Sequence, residues 1–260
     1  MLRTVKALRY VTPLRAGGSL PAIVEADDDG LYVVKFRGAG QGHRALIAEL
    51  VAGELGRALG LPVPELVFVE LDPVLGRSEP DPEIQDLLMA SAGLNLALDY
   101  LPGSLDFEPL LAPPPDAALA AAIVWFDAYS TNVDRTPRNP NMLLWHKRLY
   151  LIDHGAALYV HHSWTDYLAR SRGPFPHIKD HVLLPLAGDL RAVDASLSTR
   201  LTPDVIHAIV ALIPDAWLGD EPLFANVAEH RAAYATYLLT RLDVPHVFVE
   251  EAIDARTRLL

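Results

Sequence analysis

WFDAYSTNVDRTPRNPNMLLWHKRLYLIDHGAALYVHH, residues 125–162, is the stretch that decides the fold. It contains two short apolar runs of strand-forming residues, Met142 to Trp145 and Leu149 to Ile152. The polar His146-Lys147-Arg148 segment separates the two runs, and the pattern predicts a β-hairpin. Because a hairpin brings its two outer ends together, the polar segments that flank it are expected to face one cavity.

The polar residues at the two ends of this hairpin supply oxygen ligands. Asp134, Asn139 and Asn141 precede the first strand, and Asp153 directly follows the second. Carboxylate and amide oxygens suit Mg²⁺, a hard ion held by one or two carboxylates together with the phosphates of a substrate. The pattern therefore predicts a metal-phosphate site, with Asn139, Asn141 and Asp153 as candidate metal ligands.

These motifs resemble those of a known family. An Asp followed five or seven residues later by Asn, then a hairpin, then Asp-x-Gly, is similar to the catalytic and metal-binding loops of protein-kinase-like enzymes. The sequences NVDRTPRNPNMLLW and LYLIDHGAAL resemble, more narrowly, the HipA-like kinases, an atypical branch of that superfamily. Two positions depart from the kinase pattern: Asn132-Val133 stands where His-Arg would precede Asp134, and His154 replaces the Phe of Asp-Phe-Gly.

The resemblance implies an α+β fold of the protein-kinase-like type with two lobes. Residues 1–101 would form a small nucleotide-binding lobe, an antiparallel sheet with one helix. Residues 102–260 would form a mainly helical catalytic lobe. A length of 260 residues fits a small two-lobed enzyme. The boundary is placed near Leu101, because Pro102 and Gly103 interrupt a β-type run just before helical composition begins.

Two charged residues of the small lobe become site candidates through the resemblance. Lys35 lies in a strongly β-prone run and corresponds to the phosphate-pairing Lys of the third kinase strand, although a Lys that extends from an edge strand into solvent is the alternative. The helical pattern of residues 41–60 offers Glu49 as the ion-pair partner of Lys35. Glu54 is a second candidate, and a solvated helix carboxylate is the alternative for Glu49.

Two further segments of the small lobe are candidate nucleotide contacts. Gly17, Gly18 and Ser19 lie in a loop between predicted strands, where backbone N–H groups and a hydroxyl could approach a phosphate. An ordinary hairpin turn is the alternative, since the loop matches neither Walker A nor the kinase glycine pattern. Asp99, Tyr100 and Leu101 form the expected hinge, which in kinases binds adenine through its backbone.

The resemblance also implies an activity and its cofactors. Asp134 would orient an acceptor hydroxyl and take its proton, with ATP as phosphate donor and Mg²⁺ as metal. The expected acceptor is Ser or Thr of a protein. A nucleotide-binding pseudokinase without transfer activity and a small-molecule phosphotransferase remain as alternatives. HipA-type toxins usually act beside a DNA-binding antitoxin, and whether this chain has such a partner stays open.

Several polar residues near the hairpin have two interpretations each. Arg135 and Arg138 would bind phosphate groups or only extend from the loop into solvent. Asp127 would support that loop or serve as a structural carboxylate. Adjacent histidines, His161 and His162, invite a zinc interpretation. Neighbouring side chains on an extended segment point to opposite faces, however, so no zinc site is expected there.

Composition limits the class of partner. A formal net charge of −11 and a pI near 5.3 disfavour nonspecific nucleic-acid binding, which needs a basic face. The chain has no Cys and therefore no disulfide or thiolate zinc site. Its first residues lack the apolar core of a signal peptide, and no apolar run reaches the roughly eighteen residues that a membrane span needs. A cytoplasmic protein without a membrane partner is expected.

Overall fold

Residues 2–14, 20–40, 42–219 and 221–259 are described by a computed structural model. The N-terminal part is organised around five strands and the C-terminal part is mainly helical, which agrees with the predicted α+β class. The five strands are β1 (Thr4–Pro13), β2 (Ala22–Ala26), β3 (Leu31–Lys35), β4 (Leu66–Leu71) and β5 (Gly93–Asp99).

These five strands form a closed barrel in the order β1-β2-β3-β5-β4. The expected sheet was antiparallel, but β1 and β4 run parallel, with Val5 opposite Val69. Closure is possible because β1 is ten residues long and pairs on both sides, with β4 near its start and with β2 over the rest. Two register shifts between β1 and β2 bend the strand around the barrel.

Alternation along β3 separates the inside of the barrel from the outside. Tyr32 and Val34 are buried among the residues that fill the barrel. Val33 and Lys35 therefore lie on the opposite face, because successive side chains of a strand point to opposite sides. Ile23, which pairs with Val33 on the neighbouring strand, shares this outer face.

Two α-helices lie in the part of the small lobe that the structure describes, so the expectation of a single helix was wrong. They are α1 (His43–Ala58) and α2 (Pro82–Ala90). The Pro-, Asp- and Gly-rich composition of the segment from Asp72 to Pro82 predicts a loop, but the segment contains a 3₁₀ helix over Pro73–Ser78 and the start of α2. Asp72 and Asp81 cap these two helices, each accepting from the backbone N–H two residues on, and Pro follows each cap. Loop-like composition thus marks two helix starts.

The large lobe contains the predicted hairpin and most of the helices. Its elements are β6 (Leu105–Asp106), α3 (Ala117–Ser130), β7 (Met142–Trp145), β8 (Arg148–Leu151), α4 (Tyr167–Ser171), α5 (Leu190–Leu197), α6 (Pro203–Val210), α7 (Val227–Asp243) and α8 (Pro245–Thr257). The hairpin turns at His146 and Lys147, whose φ angles of 47° and 63° belong to the tight turns that match strand twist. The Thr202-Pro203 pair predicts the start of a helix through Ile213; Thr202 does cap α6, but that helix ends at Val210.

Helix α1 is packed into the core of the large lobe. Its Leu50 and Leu55 belong to the same buried cluster as Phe126 of α3 and Leu151 of β8. A Cβ on Gly53 would stand 2.9 Å from the Leu66 side chain, so α1 lies unusually close to β4. The position of α1 is therefore fixed from both lobes. In the part of the chain that the structure describes, no helix is both long and apolar enough to cross a membrane.

Candidate active site

Lys35 connects the two lobes through its ammonium group. Its Nζ lies 2.6 Å from Oδ1 of Asp153, which follows β8, and 3.9 Å from Oε2 of Glu49 on α1. Burial lowers the pKa of Lys35, but the charges of Glu49 and Asp153 outweigh burial and raise that pKa above its usual value. Three residues that the sequence singled out separately therefore meet at one point, and Lys35 is held there as a cation.

Glu49, and not Glu54, is the helix carboxylate that faces this point. The Glu49 side chain is 1% exposed, whereas Glu54 pairs with Arg57 on α1 at 3.2 Å. Burial raises the pKa of Glu49 to about 6, with the positive charge of Lys35 acting in the opposite direction. Gly155 lies against the same side of α1, because a Cβ at Gly155 would be 3.7 Å from Glu49 Oε2.

Asp134 lies in the loop between α3 and β7. Its Oδ2 accepts hydrogen bonds from Asn139 Nδ2 at 2.7 Å and from Asn141 Nδ2 at 3.3 Å. Burial and the nearby negative charge of Asp153 raise the pKa of Asp134, although hydrogen bonds from the two amides oppose them. The effect of the Asp153 charge on the pKa of Asp134 indicates that the two carboxylates are electrostatic neighbours.

The open end of the hairpin brings Asn141 and Asp153 together. Met142 pairs with Leu151, and the backbone N–H of Ile152 donates to the Asn141 carbonyl at 3.0 Å. Asn141 is 9% exposed and directly precedes β7, whereas Asn139 is exposed within the loop. Of the two amides that the sequence left open, Asn141 is thus the one beside Asp153.

Asn141 and Asp153 both have left-handed backbone conformations, with φ angles of 50° and 54°. Residues other than glycine adopt this region at a cost, and such residues concentrate at functional sites. The left-handed conformation directs both side chains differently from the way an extended strand would direct them. The surrounding contacts must therefore hold these two residues in place.

The donor set fits a hard divalent cation better than zinc. Both Asn side chains donate through nitrogen to Asp134, so their amide oxygens remain as acceptors beside the Asp153 carboxylate. Among the described residues, no group of three or more His, Cys, Asp and Glu side chains is placed to hold a metal ion. A cation here would draw on one or two carboxylates, an amide oxygen and the phosphates of a ligand.

His161 and His162 lie in a short 3₁₀ helix and not on the extended segment that was expected. His161 is fully buried, and its Nδ1 lies 3.2 Å from the hydroxyl of Tyr234. Burial lowers the pKa of His161 well below its usual value. The hydrogen bond and the burial point to a structural role for His161.

The expected hinge follows β5. The backbone N–H of Asp99 donates to the Glu65 carbonyl at 2.8 Å, and that of Tyr100 donates to the Leu31 carbonyl at 2.9 Å. Leu101 is buried. Asp99 pairs with Tyr32 and shares its face of the barrel, so the Asp99 side chain points away from the Lys35 face. Only backbone atoms of Asp99 could therefore serve a nucleotide.

Ile23 and Val33 are apolar residues that the sequence interpretation did not select. Both lie on the Lys35 face of the barrel, where they could cover a flat aromatic base. The alternation of β2 and β3 was the signal that could have identified them. The predicted phosphate loop, Gly17, Gly18 and Ser19, lies outside the described residues.

Arg135 is neither a phosphate ligand nor solvated, which contradicts both earlier interpretations of it. Its side chain is fully buried and its Nε lies 2.5 Å from Oδ2 of Asp127. Asp127 also receives hydrogen bonds from Asn132 Nδ2 at 3.0 Å and from His181 at 2.9 Å. Asp127 thus supports the loop that carries Asp134, which was one of the two roles considered. Arg138 is exposed, as expected for a solvated residue.

Comparison with known proteins identifies relatives of this architecture. The sequence model described as HipA-like kinase matches residues 9–250. The Helicobacter pylori proinflammatory kinase CtkA superposes with a TM-score of 0.55 at 15% identity, covering 100% of this chain and 99% of that one. The Golgi casein kinase with Mn/ADP bound gives a TM-score of 0.54 at 13% identity, covering 96% and 73%. At these identities the structural likeness concerns the fold. Comparison with curated proteins gives no significant match.

Proposed function

Since the chain belongs to the HipA-like kinase family, we propose that it transfers the γ-phosphoryl group of ATP, with Mg²⁺, to a Ser or Thr hydroxyl of a protein. The observation that carries this proposal is the 2.6 Å contact between Lys35 Nζ and Asp153 Oδ1. It joins a strand of the small lobe to the end of the hairpin that also carries Asn141, so groups suited to a triphosphate and its metal converge.

ATP would bind between the two lobes, with residues 1–101 as the nucleotide-binding lobe and residues 102–260 as the catalytic lobe. Ile23 and Val33 would cover the adenine, and the backbone of residues 99–101 would hydrogen-bond its edge. Gly17, Gly18 and Ser19 remain the predicted phosphate loop. Lys35 would exchange its contact with Asp153 for a phosphate oxygen, while Glu49 stays beside it as the ion-pair partner.

Asp153 and Asn141 are the proposed metal ligands, with Asn139 as the other candidate amide. A bound Mg²⁺ would neutralise charge on the phosphates during transfer. Support comes from the oxygen-rich donor set and from the strained backbone that places both residues at the hairpin end. The related Golgi casein kinase, whose structure contains Mn and ADP, adds support for a nucleotide and a divalent cation here.

Asp134 is the proposed catalytic base. Its carboxylate would accept the proton of the acceptor hydroxyl as the hydroxyl oxygen bonds to phosphorus and the bond to the ADP oxygen breaks. Asn139 and Asn141 hold Asp134 Oδ2, which leaves its other oxygen to face the acceptor. The raised pKa of Asp134 makes it a stronger base than an ordinary Asp.

Transfer from γ-labelled ATP tests the proposal, with a Ser- and Thr-containing protein and small hydroxyl compounds as separate acceptors. Asp134→Asn should lower turnover by about 10²–10⁴-fold and leave nucleotide affinity unchanged. Asp194→Asn is the matched control, because Asp194 is a half-buried carboxylate on α5 that accepts from Trp125 Nε1 at 2.7 Å. Transfer to small compounds alone would show that the acceptor is a small molecule and not a protein. ATP binding without transfer would indicate a pseudokinase.

A further inference from the structure

All three nitrogen atoms of the Arg135 guanidinium group contact other residues in the protein interior. Its Nε lies 2.5 Å from Asp127 Oδ2, its Nη1 donates to the Asn141 carbonyl at 2.5 Å, and its Nη2 lies 3.3 Å from His154 Nδ1. The three partners come from α3, from the residue before β7 and from the segment after β8. A single planar cation therefore connects three separate parts of the chain.

The contact with His154 has a defined direction. A guanidinium group only donates, so His154 Nδ1 accepts and the proton of the neutral ring is on Nε2. Burial lowers the pKa of His154 to about 3, with the charge of Arg135 acting in the same direction. The ring is held in place as an acceptor, edge-on to Phe126.

Asp127 binds Arg135 at the Nε side of the guanidinium group. Its pKa is lowered because the charge of Arg135 and the hydrogen bond from His181 outweigh burial. The backbone N–H of Leu183 donates to His181 Nδ1 at 3.0 Å, so the ring N–H of His181 is at Nε2 and donates the hydrogen bond to Asp127. This arrangement fixes Arg135 independently of the two segments that it holds.

We propose that Arg135 is a positioning residue that holds Asn141 and Asp153 in the backbone conformations needed to bind the metal. The Asn141 carbonyl accepts from both Arg135 Nη1 and the N–H of Ile152, so the arginine bonds directly to the hairpin end. The contact with His154 fixes the residue that follows Asp153. This proposal rests on the proposed function, because it concerns the metal of that reaction.

Histidine at position 154 has a physical reason in this arrangement. A Phe there would fill the same space but could not accept from Nη2 of Arg135, which would leave a buried N–H without a partner. Asn at the same position keeps an acceptor near the place of Nδ1. His154→Phe removes the hydrogen bond with Arg135, whereas His154→Asn replaces the residue and keeps an acceptor. Comparing the two variants therefore isolates the effect of the hydrogen bond.

The test measures Mn²⁺ binding to the protein with ADP by electron paramagnetic resonance, together with the Mg²⁺ dependence of turnover. Arg135→Lys keeps the charge but not the planar fork, and it should weaken Mn²⁺ binding by about 10–100-fold, the range found for groups that orient metal ligands. The Mg²⁺ concentration for half-maximal turnover should rise by a similar factor. ADP affinity without metal should not change.

Arg241 provides a matched control in the same lobe. It is also fully buried, and it donates to the carbonyls of Ala128 and Tyr129 in α3; its hydrogen bonds among the described residues do not include the hairpin end. Arg241→Lys should leave Mn²⁺ binding unchanged even where it lowers stability. Equal weakening in the two lysine variants would show a general effect of core damage and would overturn the proposal.

The histidine variants keep the test decisive if Arg135→Lys does not fold. His154→Phe should weaken Mn²⁺ binding and His154→Asn should retain more of it. Binding equal to wild type in a folded Arg135→Lys protein, or in His154→Phe, would overturn the positioning role. Wild-type protein that binds Mn²⁺ with ADP but transfers no phosphate would end the proposed function alone. Wild-type protein that binds no Mn²⁺ would end both.

Discussion

Replacement of Lys35 by Met should make protein stability more sensitive to pH, through Glu49. The Glu49 side chain is 1% exposed and lies 3.9 Å from the Lys35 ammonium. Burial raises its pKa from 4.5 to about 6 although Lys35 opposes the rise. Without the ammonium, burial and the charge of Asp153 act together and favour the protonated acid. The pKa of Glu49 in the folded variant should therefore rise well above 6.

The magnitude follows from proton linkage. Between the unfolded and folded pKa values of a buried acid, the folded state binds a proton that the unfolded state has lost, so stability falls as pH rises. The fall is about 1.4 kcal/mol for each pH unit. In the wild type it ends near the Glu49 pKa of about 6. In the variant it should continue up to the higher folded-state pKa, which adds up to about 3 kcal/mol of destabilisation between about pH 6 and about pH 8.

Urea denaturation at these two pH values measures the effect. The loss of Lys35 itself adds a cost that does not vary with pH in this range, so the change with pH is the quantity to compare. Lys35→Met combined with Glu49→Gln is the control, because Gln has no proton to exchange and the additional pH dependence should disappear. If wild type and Lys35→Met lose the same stability between the two pH values, the assigned Lys35 and Glu49 pairing is wrong.

Three further changes test other parts of the structure. Asp127→Asn leaves the guanidinium of Arg135 buried without its counter-ion and should lower the free energy of unfolding in urea by about 3–5 kcal/mol; a loss below about 1 kcal/mol would contradict the buried ion pair. Gly53→Ala should destabilise, since overpacking against Leu66 costs about 1–3 kcal/mol against a helix-propensity gain of about 1 kcal/mol or less. Higher stability in the same assay would mean that α1 has room to move. Lys147→Gly should stabilise by about 1 kcal/mol in thermal unfolding, because the φ of 63° suits glycine, and an unchanged melting temperature would count against that turn.

Much of the fold could be predicted from local patterns in the sequence. The β-prone run that contains Lys35, the periodicity of α1 and the two apolar runs of the hairpin each lie within a short stretch, and the predicted elements are present there. The fold class and the family are confirmed by the HipA-like match and by the kinase structures. The convergence of Lys35, Glu49 and Asp153 needed the family resemblance, since no local pattern relates residues more than a hundred positions apart.

Features made by distant contacts were not predicted. Arg135 occurs in a polar, Pro-rich loop where arginines are usually solvated, and its burial depends on Asp127, Asn141 and His154. Closure of the barrel depends on one strand pairing on both of its sides, which residue type does not report. Helix α2 was missed because Asp and Pro were taken as loop residues, although here they begin helices.

Barrel closure limits how this protein can be joined by another chain. In the part of the chain that the structure describes, β2, β3 and β5 each pair with a strand on both sides, but β1 pairs with β4 only from Thr4 to Lys6, so the rest of β1 is the one stretch of barrel edge that could accept an added strand. The three-stranded sheet of β6, β7 and β8 is open, and β7 follows the loop that carries Asp134. A peptide that bound by strand addition would therefore have to pair with β1 beyond Lys6 or with an outer strand of this second sheet.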